Sequence, residues 1–542
     1  MCRPVQHGSE GTHGNSHGEI GQASGQRRGS RGGVATPVAG TAKQVDRPVA
    51  AGAWKVCRVG SERSSCLPAN GRSSGGRIAG RGHETGGLDS GRKKKVVAKA
   101  PRKLRSGQAR PLKLRLLGGL VLWITTLYCG PAGRSGNGRG REGAGLYPEL
   151  AVLGFQEGSS PALASLVART TALLPSYALA NQELAQRGLD LDIKVVHGIA
   201  TQVGAATLAN RSRELLKYRA GQVPVGKEFA GRRVGAFVDG GRTRIRRVTR
   251  KQRGRGKHKQ QKRRYQADWR EPKLLIIYEM DQHGRMVPGS QPVIDGTFGG
   301  PDALMELLAY HLHRLGAAEA QVVSLGADGA PWFWDRLDWL EKRVGLRANQ
   351  VARTLDWCHG VHHVSLALEH LIKDESVRKR VFKKLRKWLR QGSWLKVTGE
   401  LMGLAIEQNL PPDHEVWTPI KYLEKHGEAG HLDYARFRRR GLPSGSGAIE
   451  SAIRRVINLR LKGNSICWKE ENAEAMLVVR ANVLSNRWEE TFAQVCASMA
   501  SDRTLDWAWQ PPDILAELNS EAEIEPPQPQ PQDRKASYVA AA

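Results

Sequence analysis

Three acidic residues have the types and positions of a metal site that cleaves phosphodiesters. Asp239 follows the apolar run RVGAFV and precedes GGR, Asp328 follows a second apolar run and precedes GAPWFW, and Glu450 lies one turn into a helix opened by PSGSGAIE. Phosphodiester hydrolysis or transfer uses two hard cations about 3.5–4 Å apart, which activate the attacking oxygen and stabilise the leaving oxygen. Carboxylates are the side chains that hold Mg²⁺, so these residues predict a two-ion centre.

Each of these acids also has an ordinary structural interpretation. An aspartate before glycine is a common turn residue, and a glutamate in the first turn of a helix interacts favourably with the helix dipole. Two aspartates that both end apolar strands weaken the turn interpretation for the pair. For Glu450, the pattern alone does not decide between a dipole interaction and a metal ligand.

A short Asp-x-x-His segment follows the second acid. In DWCH, at 356–359, Asp356 and His359 are predicted to orient the substrate or support the metal ligands. The alternative is a polar cluster in which the aspartate caps a helix. A zinc site is a third interpretation, in which Cys358 lacks a second cysteine at a metal-binding spacing. Its other ligands would come from the nearby histidines His362, His363 and His370.

Basic residues are concentrated beside the proposed acids. The run from Arg242 to Arg264 contains 13 Lys and Arg and no acid, and it begins three residues after Asp239. Such a run is either a solvated loop or a surface that contacts phosphates, and its place beside the acids favours phosphates. The predicted DNA-contacting residues are Arg242, Arg244, Arg246 and Arg247 in this run, and Arg454, Arg455, Arg460 and Lys462 after Glu450.

The elements that must position these residues follow the order of an RNase H-like α/β fold. The apolar patterns predict strands at 233–238, 273–278, 285–294, 320–325 and 351–355, with helices at 302–315 and 332–344. Asp239 and Asp328 come directly after the first and fourth strands. Strand ends in open α/β sheets face the ligand crevice, which is where a metal site is needed. A further helix is predicted at 448–461.

Composition divides the rest of the chain. We expect a disordered Gly/Arg-rich extension at 1–110, a short strand or buried hairpin at 111–145, and a helical, DNA-binding domain at 146–230 with three or four helices before residue 220. The RNase H-like core is expected at 231–359, an all-helical insertion at 360–440, the glutamate helix and end of the core at 441–500, and a disordered tail at 501–542.

Charge and cysteine content restrict the functional class. The chain has 84 Lys and Arg against 52 Asp and Glu, a net charge of +32, which predicts a polyanionic partner. Of these, 26 basic and 7 acidic residues lie in 1–145. Seven widely spaced cysteines without a CxxC pair argue against a disulfide scaffold. The most apolar stretch, at 116–129, is shorter than the roughly 20 residues of a membrane span.

Several segments together resemble a known family. GLYPELAVLG, VDGGRTRIR, GADGAPWFW, the Asp-x-x-His segment, and the block PSGSGAIESAIRRVINLRLKGNSICWKEENAEAMLVVRANVLSNRWEE are similar, in order and spacing, to ISKra-type bacterial insertion-sequence transposases. The similarity covers about residues 144–492. One departure lies between the Asp and the His, where the family has Phe-Tyr and this chain has Trp357-Cys358.

The resemblance implies a DDE transposase with an RNase H-like core. Its catalytic, metal-binding carboxylates would be Asp239, Asp328 and Glu450, which bind two Mg²⁺ or Mn²⁺ ions and cut and join DNA. The expected partners are transposon ends and target DNA, with a homodimer assembled on the DNA, no membrane contact, and a location in the bacterial cytoplasm with the nucleoid. Two alternatives remain: a nuclease of the same fold that does not join strands, and an inactive or domesticated nucleic-acid-binding protein.

Overall fold

The computed structural model describes residues 93–94, 97–98, 104–105, 107–132, 145–155, 158–251, 263–463, 466–501 and 510–522. The chain divides into two units, Met1–Ser73 and Ser74–Ala542, and every described residue belongs to the second. Most of the predicted extension at 1–110 therefore lies outside the described residues.

The predicted hairpin at 111–145 is present, but it is not buried. Strands β1 (Leu104–Arg105) and β4 (Gly130–Pro131) pair with each other, and they flank an antiparallel hairpin of β2 (Ala109–Arg115) and β3 (Val121–Leu127). The expectation of burial is wrong because Leu117, Leu120 and Trp123 are 51%, 55% and 48% exposed. No helix of the described residues is long and apolar enough to cross a membrane.

Four helices follow, as the spacing of apolar residues predicted for 146–220. They are α1 (Pro148–Val152), α2 (Pro161–Leu173), α3 (Tyr177–Gln186) and α4 (Ile193–Arg219). Helix α2 begins at Pro161, because the Ser160 hydroxyl accepts a hydrogen bond from the Leu163 N–H at 3.4 Å and Pro161 occupies the first helical position. Helix α4 packs against α2.

The basic run is a second antiparallel hairpin. Strand β5 (Arg233–Gly240) leads into β6 (Thr243–Lys251), which pairs with β7 (Arg263–Arg270), and the chain returns in β8 (Lys273–Glu279). The tip at 252–262 lies outside the described residues. Charge alone did not indicate these strands, because alternation of side chains in β6 and β7 is masked by arginines on both faces.

A mixed five-stranded sheet forms the centre of the α/β region. Its remaining strands are β9 (Val293–Thr297), β10 (Val322–Ala327) and β11 (Val351–Leu355), and the spatial order is β11-β10-β5-β8-β9. The strands β5, β10 and β11 are parallel, whereas β8 is antiparallel to both β5 and β9.

The third strand of the sheet differs from its prediction. We expected a strand at 285–294, but β9 covers Val293–Thr297. The preceding segment contains Pro288, Gly289 and Pro292. Proline lacks the N–H that a ladder needs, so pairing with β8 starts only after the second proline.

Helices cover both faces of the sheet. On one face, α5 (Pro301–Leu315) packs with α6 (Pro331–Trp334) and α7 (Leu337–Val344), where a single helix at 332–344 was predicted. Alternate residues of β5 separate the two cores. Val234, Ala236 and Val238 join α5 in one apolar cluster, while Phe237 joins the other. Both faces are therefore buried, which explains the nearly continuous apolar strands.

Five consecutive helices follow β11, as the sequence predicted for 360–440. They are α8 (Trp357–Leu371), α9 (Glu375–Arg390), α10 (Trp394–Glu407), α11 (Trp417–Glu428) and α12 (Tyr434–Arg439). The chain then forms α13 (Gly447–Ile453), a π-helical turn at Arg454–Asn458, α14 (Glu470–Leu484), α15 (Trp488–Ser501) and α16 (Ile514–Ala522). The predicted helix at 448–461 is thus an α-helix that becomes a π turn.

The last helix contradicts part of the expected disordered tail. Helix α16 lies within 501–542, and its first residue, Ile514, is fully buried in the apolar cluster on the α5 face. The acidic and Pro/Gln-rich composition of the tail hid this short apolar contact. Residues 523–542 lie outside the described residues.

Candidate functional site at the carboxyl ends of three parallel strands

The register of β5 and β10 brings the first two predicted carboxylates to the same level. The last aligned pair of these parallel strands is Phe237 with Gly326. Two residues farther along each strand lie Asp239 and Asp328, so the two aspartates continue the same register on adjacent strands. The two aspartates are separated by the same number of residues as each aligned pair of β5 and β10, so the strand register places them side by side.

A third aspartate extends this row. Strands β10 and β11 align Ala327 with Leu355 as their last pair, so Asp328 and Asp356 are the next residues on each strand. The backbone supports this arrangement, because the Asp356 N–H donates to the Ala327 carbonyl at 3.0 Å. Three acidic side chains therefore follow three neighbouring parallel strands.

The glutamate arrives from a helix on the sheet face that Asp239 shares with Phe237. Helix α13 packs on β5, and its buried Ile449 belongs to the same apolar cluster as Phe237. Side chains two residues apart on a strand point to the same face, so Asp239 faces this helix. Glu450 is exposed and accepts a hydrogen bond from the Ser446 hydroxyl at 3.1 Å.

The charges of Asp328 and Glu450 both act on Asp239. Burial, the largest cause, and the charges of Asp328 and Glu450 raise the pKa of Asp239 to about 6, although the Gly240 N–H and the charge of His359 act to lower it. A divalent cation would relieve the repulsion, so the carboxylates fit a site for Mg²⁺.

Asp356 has a different environment from the other carboxylates. It is 2% exposed, caps α8, and accepts hydrogen bonds at its two oxygens from the Ser446 N–H at 2.6 Å and the His359 ring Nδ1 at 2.9 Å. Burial would raise the pKa of Asp356, but the bonds from His359 and Ser446 outweigh it and the pKa is lowered. The capping interpretation of Asp356 is therefore confirmed, and its role in supporting metal ligands stays a prediction.

His359 is hydrogen-bonded to Asp356 and interacts electrostatically with Asp328 and Asp239. The hydrogen bond to Asp356 raises the pKa of His359, burial opposes the shift, and the charges of Asp328 and Asp239 raise it further. Because Nδ1 faces Asp356, the Nε2 atom is the ring nitrogen left to meet a substrate.

The loop after β10 is held in place beside an open cavity. The Ala330 N–H donates to the Asp328 carboxylate at 3.2 Å, and the Trp334 indole donates to the Asp328 carbonyl at 2.8 Å. Asp328 and His359 line a cavity of about 420 Å³. Its other lining residues are Gly329, Ala330, Pro331, His363, Tyr422, Lys425 and His426. Three of these come from α11, and no motif in the sequence indicated that this helix reaches the site.

A cysteine lies near one of the predicted ligands. The donor atoms of Asp356, Cys358 and Glu450 are within 4.8 Å of one another. This group shares only Glu450 with the predicted carboxylate set, and a thiol is a poor ligand for Mg²⁺. The histidines suggested as zinc ligands with Cys358 are not in this group.

The predicted DNA-contacting residues have unequal placements. Arg242, Arg246, Arg247, Arg454 and Lys462 are exposed, while Arg244 and Arg455 are half-buried.

Arg460 contradicts its predicted role. It is 3% exposed, and its guanidinium donates at 3.1 Å to the carbonyls of Thr171 and Pro175. It therefore joins the end of α2 to the segment after α13 and is not on a surface that DNA can reach. Ser446, which binds both Asp356 and Glu450, was missed because nothing in its sequence context distinguishes it from other helix-start serines.

The raised pKa of Asp239 predicts a pH-dependent stability. Its ordinary value is 3.8, so the folded protein binds this proton more tightly than the unfolded chain does, and stability falls as pH rises from about 4 to about 6. Asp239→Asn should remove this loss of stability. At pH 7 the free energy of unfolding of the variant should exceed that of wild type by about 1–3 kcal/mol, and at pH 4 the two should be equal. Urea unfolding in EDTA measures this, and exposed Asp413→Asn is the control. Parallel pH curves for wild type and Asp239→Asn would contradict it.

No protein-family model, curated protein or solved structure matches the chain. The chemistry open to the site follows from its own donor atoms. It has carboxylates that suit hard divalent cations, a half-exposed imidazole, and a cavity beside them.

Proposed function

We propose that this protein is a DDE-type DNA transposase, which cleaves and rejoins the ends of an insertion sequence by two-metal-ion phosphodiester transfer. The observation that supports the proposal is that Asp239 and Asp328 follow aligned positions of β5 and β10, and that the charges of Asp328 and Glu450 both raise the pKa of Asp239. The proposal includes the resemblance to ISKra-type transposases described from the sequence.

The sheet supports an RNase H-like core. In chain order its strands are β5, β8, β9, β10 and β11, and the spatial order puts the first in the centre, with the antiparallel second strand beside it and the third strand beyond the second. The parallel fourth and fifth lie on the other side. In this proposal the helices α8 to α12 are an all-helical insertion between the fifth strand and the glutamate helix. The helices α1 to α4 are the candidate DNA-binding domain.

Each residue has a defined role in the proposed reaction. Asp239, Asp328 and Glu450 would hold two Mg²⁺ or Mn²⁺ ions, which activate water and then a 3′-hydroxyl for in-line attack on phosphodiesters. Asp239 must be deprotonated to bind metal, so its pKa of about 6 leaves it available at neutral pH. Asp356 holds the Ser446 N–H at the start of α13 and thereby positions Glu450.

The basic residues supply the DNA-binding part of the proposal. Arg242, Arg246 and Arg247 extend from the hairpin that begins beside Asp239, and Arg454 and Lys462 follow Glu450. Cations at these positions would contact the sugar-phosphate backbone and fix the DNA relative to the carboxylates. Binding as a dimer to transposon ends and target, in the bacterial cytoplasm and nucleoid, belongs to the same proposal.

A strand-transfer assay tests the function. The protein is incubated with Mg²⁺, a plasmid target and DNA carrying pre-cut ends from the sequences that flank its gene. The proposal predicts covalent joining of those ends to the plasmid, which stops in EDTA. A nuclease would produce only nicks, and a nucleic-acid-binding protein would leave the plasmid intact. Either of these two results would overturn the proposal.

Asp356→Ala should reduce both activity and stability. The substitution leaves the N–H groups of Ser446 and His359 without their buried acceptor, which costs about 2–3 kcal/mol of unfolding free energy. Loss of the support for Glu450 should lower cleavage by roughly 10- to 100-fold. Because the carboxylates themselves remain, higher Mg²⁺ should partly restore the rate.

The matched control is Asp374→Ala, which removes the exposed N-cap of the next helix, α9. Its expected cost is about 1 kcal/mol of stability without a change in cleavage. Equal effects of the two substitutions on cleavage would show that Asp356 is only a cap.

A further inference from the structure

One face of the hairpin β6–β7 combines exposed aromatic rings with arginines. The register aligns Arg244 with Trp269 and Arg246 with Ala267, and Tyr265 lies two residues before Ala267 on β7. Side chains that alternate along paired strands share a face. We call Arg244, Arg246, Tyr265 and Trp269 the hairpin face.

The rings of the hairpin face are open to solvent and in contact with cations. Tyr265 is 51% exposed and Trp269 is 55% exposed. The Arg246 guanidinium lies 4.2 Å from the centre of the Tyr265 ring, and that of Arg244 lies 5.6 Å from the Trp269 ring. Two large exposed rings with guanidinium groups beside them form a surface on which a flat ligand can stack.

The opposite side of the hairpin is anchored to the body of the protein. Thr243 donates its hydroxyl hydrogen to the Leu461 carbonyl at 2.8 Å, and Ile245 is 2% exposed. The backbone of β6 pairs with Trp468. The Arg246 N–H donates to the Trp468 carbonyl at 2.6 Å, and the Trp468 N–H donates to the Arg244 carbonyl at 3.0 Å. The hairpin face is therefore presented by a strand that is fixed on its other side.

Charge restricts the kind of ligand. The two strands contain eight Lys and Arg and a single acid, Asp268, which is paired with Arg247 at 3.0 Å. A ligand for this face must be anionic and must carry flat π-systems. Unpaired nucleotides have both properties, whereas paired bases in a duplex present only their edges.

We propose that the hairpin face binds unpaired DNA bases next to the phosphodiester that is cleaved. Tyr265 and Trp269 stack on the bases, and the exposed Arg246 contacts an adjoining phosphate, while Arg244 donates to the Gly463 carbonyl at 2.7 Å beside Trp269. The position follows from the chain, because β6 begins four residues after Asp239. The inference rests on the proposed function for the identity of the nucleic acid and for the location of the cleaved bond.

Binding to single-stranded and duplex DNA separates stacking from charge. Tyr265→Ala and Trp269→Ala are compared with wild type by fluorescence anisotropy, using a 20-nucleotide oligothymidine and a duplex of the same length, in EDTA. Removal of one stacking ring should weaken single-strand binding by roughly 5- to 100-fold. Duplex binding should change less than about twofold, and the salt dependence should stay the same because no charge is removed.

Two control variants make the comparison specific. Trp123→Ala removes a tryptophan that is 48% exposed on the other hairpin, β2–β3, and should leave single-strand affinity unchanged. Trp269→Phe retains a ring and should retain most of the affinity. An equal loss for single-stranded and duplex DNA, an unchanged single-strand affinity in both alanine variants, or an equal effect of Trp123→Ala overturns the inference.

The test is independent of cleavage. If the wild-type protein joins no DNA ends but Tyr265→Ala and Trp269→Ala weaken single-strand binding, the transposase proposal is overturned and the inference about the hairpin face stands. If the wild-type protein joins DNA ends but both variants bind single strands like wild type, the inference about the hairpin face is overturned and the transposase proposal stands.

Discussion

Asp239→Asn is expected to abolish Mg²⁺-dependent DNA cleavage while leaving salt-sensitive DNA binding intact. The amide keeps the size of the side chain but removes the negative charge that a divalent cation requires. Loss of a metal-ion centre removes several kcal/mol of transition-state stabilisation, which corresponds to a decrease of about 1000-fold or more in rate. Asp328→Asn should behave in the same way, because Asp328 lies level with Asp239 on the adjacent strand.

Cleavage of end-labelled DNA, resolved on a denaturing gel, measures this decrease. Asp413→Asn, an exposed aspartate in the loop between α10 and α11, is the matched control and should cleave like wild type. Unfolding does not explain a loss of activity in Asp239→Asn, since this substitution is expected to stabilise the metal-free protein at neutral pH. Retained Mg²⁺-dependent cleavage in either variant means that the metal ligands are assigned incorrectly.

Arg211→Ala is expected to cause the largest loss of stability. Arg211 extends from α4 between two carboxylates, with its guanidinium 2.9 Å from Asp295 on β9 and 2.5 Å from Glu474 on α14. Both carboxylates are largely buried, and His311 also contacts Asp295, at 3.0 Å. Removing the arginine leaves two buried acids without their counter-ion, which costs about 3–5 kcal/mol.

Urea unfolding at pH 7 measures the loss, with Arg187→Ala as a matched control. Arg187 forms an exposed pair with Glu183 within one helix, so its removal should cost less than about 0.5 kcal/mol.

The pH dependence gives a second check. Burial would raise the pKa of Asp295, but Arg211 and His311 outweigh it, so the pKa is lowered. This stabilisation is present above the unfolded value of 3.8 and is lost as pH falls through the folded pKa. The difference in free energy of unfolding between wild type and Arg211→Ala should therefore become smaller at acidic pH. Equal losses of stability in Arg211→Ala and Arg187→Ala would contradict the prediction.

The parts of the fold that the sequence predicted are those with local signals. Asp239 and Asp328 were found because each ends an apolar strand, and parallel register then aligns them without further information. The helix α5 and the helices before residue 220 were predicted because the spacing of apolar residues is a local property. Long-range contacts set the remainder.

The errors have the same physical origin. Arg460 and Arg246 have similar sequence surroundings, yet one is buried against the carbonyls of α2 and the other lies beside an exposed ring. Whether an arginine is structural or free depends on which carbonyls the fold brings near it. Ser446 and the cavity residues of α11 became part of the site only through packing, which leaves no motif in the sequence.

The hydrogen bond between Asp356 and Ser446 joins residues 90 positions apart, and it has a consequence for biosynthesis. A ribosome adds about 5–20 residues per second, so roughly 6 to 25 s separate the synthesis of Asp328 from that of Glu450. During this interval a nascent chain can form β5, β10 and β11 and align their aspartates. It still lacks Glu450 and the contact between Asp356 and Ser446, so the proposed three-carboxylate centre would be complete only after residue 450 has left the ribosome and docked.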